Sequence, residues 1–164
     1  MNYRRISSYF TGKRFHPILK YFRPHLGIDY AAPKGTPIVS IGDGVVTYAG
    51  RKGGFGKFIS IKHTNNYTTM YAHLSGYAKG IRTGAKVRQN QLIGYVGSTG
   101  LSTGPHLDFR IKQNGVFINF LRLNIPSAKL VLAKHKNEFV KLLKLYLTKL
   151  ADIDKSKLHK LNID

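Results

Sequence analysis

Three short stretches of this 164-residue chain hold residue types that could do chemistry together. "HLGID" sets His25 four residues before Asp29, "HLDFR" sets His106 two residues before Asp108, and "YAHLS" carries His73. Along a strand, alternate residues share a side, so His106 and Asp108 face one way and Leu107 the other. Such a pair is open to three readings: a catalytic pair, a damaged metal site, or two polar residues on a solvated face. Acids are scarce enough to narrow the choice. Residues 1–123 contain only three: Asp29, Asp43 and Asp108. Asp43 stands in a Gly-Asp-Gly turn, where aspartate is common for backbone reasons alone. A glycosidase built on two carboxylates would have to use Asp29 and Asp108, and each of these has a histidine close by. Histidine and aspartate are natural zinc ligands, and a catalytic zinc needs three protein ligands and one open position for water. One His-x-x-x-Asp arises often by chance. Two His/Asp clusters with a third histidine in one small domain are much stronger.

Other chemistries find less support. The chain has no cysteine, which excludes disulfides, thiolate ligands and a cysteine nucleophile. Ser98 and Ser102, in "GSTGLSTG", lack a nucleophile-elbow pattern and suit turn chemistry. "GKRF" and "GGFGK" lack the Gly-Lys-Ser/Thr end of a P-loop. His63 and His135 lie among lysines and read as solvated. His16, in "RFHPIL", stands close to His25 in sequence and is a candidate to support a ligand from behind or to donate to an oxyanion.

These residues need a rigid frame, and the pattern supplies one. From about Thr36 to Arg122, short β-like runs alternate with glycine turns. "TPIVSIGDGVVTYAG" reads as two strands joined at Gly42-Asp43-Gly44. "GKFISIKHT", "YTTMYAHL", "QLIGYVG" and "HLDFRIKQNGVFI" continue the series, and the Asn-Gly of "QNG" marks a hairpin. Regular short strands imply a mainly β fold, an antiparallel sandwich or partly open barrel. After Asn124 the composition changes. Phe139, Leu142, Leu143, Tyr146, Leu150 and Ile153 recur at helical spacing between lysines, with Pro126 near the expected start. The chain therefore divides into a domain over 1–123 and a lysine-rich amphipathic helical tail over 124–164.

In order, "HLGIDYAAPKGTPIVSIGDGVVTYAG", "YAHLS" and "GAKVRQNQLIGYVGSTGLSTGPHL" closely resemble the lysostaphin-type zinc endopeptidases of bacterial cell walls. The resemblance covers roughly residues 5–122 and excludes the tail. It implies that His25 and Asp29 are zinc ligands, and that His73 and His106 are catalytic histidines beside the metal. The family usually carries His-x-His at the last motif, and its second histidine is the third ligand. Asp108 stands there in this chain. Two outcomes follow from that departure. Asp108 ligates zinc, since a carboxylate oxygen, like histidine Nδ1, is bonded to Cγ and binds zinc at about 2.0–2.2 Å. Otherwise the domain is a non-catalytic wall-binding or amidase-activating module with a degenerate metal site. His25, Asp29, His73 and His106 all remain, which favours the first. The implied activity is zinc-dependent hydrolysis of peptide cross-links or stems in peptidoglycan.

Charge bears on partners. Of 27 lysines and arginines, nine follow residue 123, which leaves 18 in front of it against three acids. A field of that sign attracts polyanions, and an anionic cell-wall polymer is a candidate. No recognition motif points to a specific nucleic acid. The tail reads as a helix packed on the domain or a partner, with contact at a membrane surface as the sharper alternative. No stretch is apolar for long enough to span a bilayer. The expected location is the periplasm or extracellular envelope. The opening residues lack the apolar core of a signal peptide, so an export signal is expected outside this chain.

Overall fold

The structure, a computed structural model, describes residues 3–123 and 135–160, with side chains as far as residue 149. It divides into two compact units, Met1–Leu123 and Asn124–Asp164. Twelve strands build the first. They are β1 (Arg5–Ser8), β2 (Thr11–Phe15), β3 (Phe22–His25), β4 (Ile28–Ala31), β5 (Pro37–Val39), β6 (Gly44–Arg51), β7 (Lys57–Lys62), β8 (Tyr67–Tyr77), β9 (Lys86–Val87), β10 (Leu92–Val96), β11 (His106–Gln113) and β12 (Val116–Ile118). Ten of them form one antiparallel sheet, ordered β1-β4-β11-β8-β7-β6-β9, with β12 on β11 and β10 joining β5 to β8. β2 and β3 form a separate hairpin. The sheet is open among the described residues, which agrees with a partly open antiparallel fold.

Alternation explains most of the packing. β11 buries Leu107, Phe109 and Ile111, and the first two join Ile28, Tyr30 and Tyr71 in the core cluster. Burying one such side chain contributes on the order of 1.5–3 kcal/mol. Its other face is left to His106, Asp108 and Arg110. The Asn-Gly turn behaves as its residue types require: Asn114 (φ 50°) and Gly115 (φ 84°) are both left-handed, and Gln113 pairs with Val116 across the hairpin. The stretches around Gly42-Asp43-Gly44 are both strands, but they do not pair with each other. β5 pairs with β10, while β6 pairs with β7 and β9. Asp43 Oδ1 accepts the Gln89 N–H at 2.6 Å, which ties the turn to the segment between β9 and β10.

β8 breaks its own alternation at one point. Tyr71 and Leu74 both lie in the core although they are three positions apart. The register against β7 slips between them, from Ile59–Tyr71 to Lys57–Leu74. His73 absorbs the slip with φ 61°. This bulge takes His73 off the core side, where simple alternation with Tyr71 would have placed it.

In the second unit, helix α1 spans Lys136–Lys160. Pro126, expected near the helix start, lies outside the described residues. No described helix is long and apolar enough to cross a membrane.

The bulge depends on Gly97. A Cβ at residue 97 would stand 2.3 Å from Ser75 N, 2.6 Å from the Leu74 carbonyl carbon and 2.7 Å from the His73 carbonyl oxygen. Every one of these is backbone, so Gly97→Ala must move β8. We expect a loss of about 1–3 kcal/mol in a urea titration. A loss under about 0.5 kcal/mol would mean that the bulge is not held from this side.

Candidate active site

The site is made by strand register. β4 runs antiparallel to β11, with Asp29 directly opposite Asp108 and Ile28 opposite Phe109. The two carboxylates therefore share one face of the sheet. His25 ends β3, and Leu26-Gly27 carry the chain round into β4. The corner has no room for a side chain: a Cβ at Gly27 would be 2.5 Å from Asp108 Oδ1 and 2.9 Å from the Phe109 carbonyl oxygen. The result is a buried trio. One donor atom each from His25, Asp29 and Asp108 lies within 4.8 Å of the others.

Hydrogen bonds settle which nitrogen each histidine offers. His25 Nδ1–H donates to the Tyr9 carbonyl at 3.0 Å, so in the neutral ring Nε2 is the bare atom. That nitrogen stands 3.0 Å from Asp29 Oδ1. A lone pair and a carboxylate oxygen at that distance require a proton or a metal ion between them. The nitrogen-and-two-oxygens donor set is one that zinc accepts, and the carbonyl behind His25 is the outer partner a ligating imidazole usually has. The residues present therefore fit a zinc ion.

Each carboxylate is backed by a guanidinium. Arg14 Nη1 donates to Asp29 Oδ2 at 3.1 Å and also to the Ser8 hydroxyl. Arg110 forks onto Asp108, with Nε 2.9 Å from Oδ1 and Nη2 2.7 Å from Oδ2. Burial pushes the Asp29 carboxyl upward. The hydrogen bond and charge of His25, the charge of His106 and the bond from Arg14 outweigh it and hold Asp29 below the usual carboxylate value.

His73 and His106 stand beside this trio, ring centroids 4.7 Å apart. Both are fixed through Nδ1: His73 donates to the Thr99 carbonyl at 2.7 Å, and His106 to the Gly104 carbonyl at 2.8 Å. Each neutral ring thus presents Nε2 as a lone pair. His106 Nε2 is 4.0 Å from Asp29 Oδ1. Burial is the main cause holding His73 below the ordinary histidine value, and the charge of His106 adds to it against the bond to Thr99 and the charges of Asp108 and Asp29. Ser102 serves the turn before β11: its hydroxyl donates to the Gly104 carbonyl at 2.8 Å and lies 3.3 Å from His106 Nδ1.

His16 shares the same cleft, whose volume is about 540 Å³. Its Nδ1 accepts the N–H groups of Ile18 and Leu19 at 3.3 and 3.1 Å, which leaves Nε2 to carry the proton. All six residues singled out in the sequence line this cleft. His63 differs from its solvated reading: its Nδ1–H donates to the Asp43 carbonyl at 2.8 Å and its Nε2 accepts the Thr69 hydroxyl at 2.7 Å. Its two partners come from the turn before β6 and from β8. The sequence reading missed Arg14 and Arg110. Arg110 carries a legible signal, since it is two residues beyond Asp108 on the same strand face. Arg14 carries none, because a hairpin that only folding docks brings it to Asp29.

The model of peptidase family M23 matches residues 23–120. The chain is 49% identical over 131 residues to the DD-carboxypeptidase/endopeptidase Mpg of Neisseria meningitidis, covering 80% of this chain and 30% of that protein. It is 39% identical over 140 residues to the peptidoglycan DD-endopeptidase ShyC of Vibrio cholerae, covering 85% and 32%. It therefore spans about a third of the length of these relatives. Among solved structures, it is similar to a zinc-containing peptidase of Vibrio cholerae (TM-score 0.69, 35% identity, 76% of this chain and 38% of that one). It is also similar to the catalytic domain of lysostaphin from Staphylococcus simulans (TM-score 0.61, 28% identity, 71% and 88%).

The bonding of His16 makes the cleft wall sensitive to acid. Burial, then the positive charges of Arg23, Arg14 and His25, hold its pKa below the ordinary value, against the pull of Asp29. The folded chain thus takes up this proton less readily than the unfolded one. The stability it contributes is present above the ordinary histidine pKa and is lost as pH falls below it. An Asn at this position can accept the same two N–H groups through Oδ1 without titrating. The melting temperature of His16→Asn should therefore fall less steeply than wild type between pH 7 and pH 5. Parallel slopes would assign the acid sensitivity to other groups.

Proposed function

The chain belongs to peptidase family M23, and on that premise we propose that it is a zinc-dependent endopeptidase hydrolysing the peptides of bacterial peptidoglycan, with D,D cross-links as the bond cleaved. One observation carries the reading. Three buried donors, from His25, Asp29 and Asp108, converge within 4.8 Å beside two histidines whose ε-nitrogens are both bare. A zinc ion held by that trio supplies Lewis acidity toward a water molecule and the scissile carbonyl. The remaining steps belong to the protein. The ring centroids of His73 and His106 are 4.7 Å apart, close enough for both to act on one substrate. One ring takes a proton from the attacking water and returns it to the leaving amine. The protonated ring meanwhile donates a hydrogen bond to the developing oxyanion, and His16 Nε2–H is a further donor on the cleft wall.

The names of the relatives support peptidoglycan as substrate and hence the periplasm or extracellular envelope as the place of action. The reaction belongs to residues 1–123. The lysine-rich segment over 124–164 lies outside it, and its charge suits an anionic wall polymer.

The test uses purified cross-linked muropeptides together with metal analysis. We expect stoichiometric zinc, with cleavage abolished by a chelator and restored by zinc. Cleavage that ignores the chelator would overturn the metal mechanism. Full zinc occupancy without cleavage would support the wall-binding or amidase-activating module instead. His73→Ala and His106→Ala should each lower kcat about 10²–10⁴-fold while still binding zinc, read by metal analysis of the same samples.

A further inference from the structure

We propose that Arg110 is a positioning residue that compensates the charge of Asp108, so that a carboxylate works where histidine usually stands without the centre losing its electrophilic character. The inference rests on the reading of Asp108 as a zinc ligand.

The geometry is that of a dedicated pair. Arg110 Nε lies 2.9 Å from Asp108 Oδ1 and 3.1 Å from Oδ2, and Nη2 lies 2.7 Å from Oδ2. Arg110 follows Asp108 by two residues on β11, so the pleat holds both on the cleft face. The pair is sheltered: the two side chains are 13% and 4% exposed. The guanidinium carbon is 4.6 Å from the centre of the Phe55 ring and 6.0 Å from that of Phe117. Beneath it, Gly27 leaves the space that the pair fills; a Cβ there would stand 2.7 Å from Arg110 Cγ. The guanidinium is thus held from three sides with its fork on the carboxylate.

Charge explains why the two residues belong together. A neutral histidine at position 108 would leave a dication with one carboxylate, a net charge of +1. Asp108 alone would make the centre neutral and a weaker Lewis acid. Arg110 restores the missing positive charge at the ligand itself. It does not block the metal, because Oδ1 accepts only the Nε–H and keeps a second lone pair. Arg14 stands behind Asp29 in the same way, at 3.1 Å. The usual outer partner of a ligand is a base that strengthens donation and metal affinity. A cation in that place acts in the opposite sense. Arg110 lowers metal affinity and raises the polarising power of what is bound.

Those opposed signs separate this role from a scaffold role, in which loss of the residue would lower affinity and activity together. The experiment measures the zinc Kd by competition with a chromophoric chelator, and kcat and KM on a purified muropeptide. In Arg110→Gln, which keeps an amide donor but no charge, zinc should bind about tenfold more tightly. Its kcat should fall about tenfold or more with KM near wild type. Arg110→Lys, which loses the fork but keeps the charge, should hold the wild-type Kd within about threefold. Weaker zinc binding in Arg110→Gln, or an unchanged Kd, overturns the inference. If Arg110→Gln does not fold, Arg110→Met fills the slot between the two phenylalanines without charge and carries the same expectations. Asp108→Asn distinguishes the two levels of the reading. Unchanged zinc binding in that variant overturns Asp108 as a ligand. Lost zinc there, with no tightening in Arg110→Gln, overturns only the role of Arg110.

Discussion

The pairing of β4 with β11 sets Asp29 opposite Asp108, and the rest of the site answers the problem this creates. Two carboxylates on one buried face repel each other and are expensive to desolvate. Cations gather round them: Arg14 on Asp29 and Arg110 on Asp108. The register is specified strongly because Ile28 and Tyr30 on β4, with Leu107 and Phe109 on β11, are buried on the opposite face. A slip of one residue in either strand would turn its two core side chains outward and its acid inward. The core therefore holds the acids together at a cost that only positive charge relieves. This is the physical ground for placing a divalent cation at the centre.

Backbone carbonyls set the protonation pattern around that centre. Tyr9, Thr99 and Gly104 each accept the Nδ1–H of one histidine, and all three ε-nitrogens are left as lone pairs. His16 has the reverse arrangement, because backbone N–H groups occupy its Nδ1. The cleft thus offers three bare nitrogens and one N–H, a division suited to one ligand, two proton carriers and one fixed donor. Turn and strand geometry achieves this without further acids, in a domain that holds only three.

Much of this was legible in the chain. The period-2 pattern of "HLDFRIKQ" places His106, Asp108 and Arg110 on one face and Leu107, Phe109 and Ile111 on the other, as found. The Asn-Gly hairpin followed from turn chemistry. Other features were not legible. "YAHLS" reads as plain alternation, and the slip at His73 exists only because β7 and Gly97 constrain β8 from outside. β5 and β6 are adjacent in sequence yet pair elsewhere, since long-range ladders decide partners. His63 read as solvated among lysines, but Asp43 before β6 and Thr69 on β8 hold both its ring nitrogens.

The sequence by itself determined the inventory and the faces: which residues can bind a metal or carry a proton, and which of them a strand turns the same way. Those follow from side-chain chemistry and from the fixed period of an extended chain. Tertiary structure decided the meeting of His25 and Asp29 with Asp108, the bulge that swings His73 beside His106, and the arrival of Arg14 behind Asp29. Each of these joins residues far apart in the chain. Local propensity carries no term for such distances, and only packing of the common core brings them together.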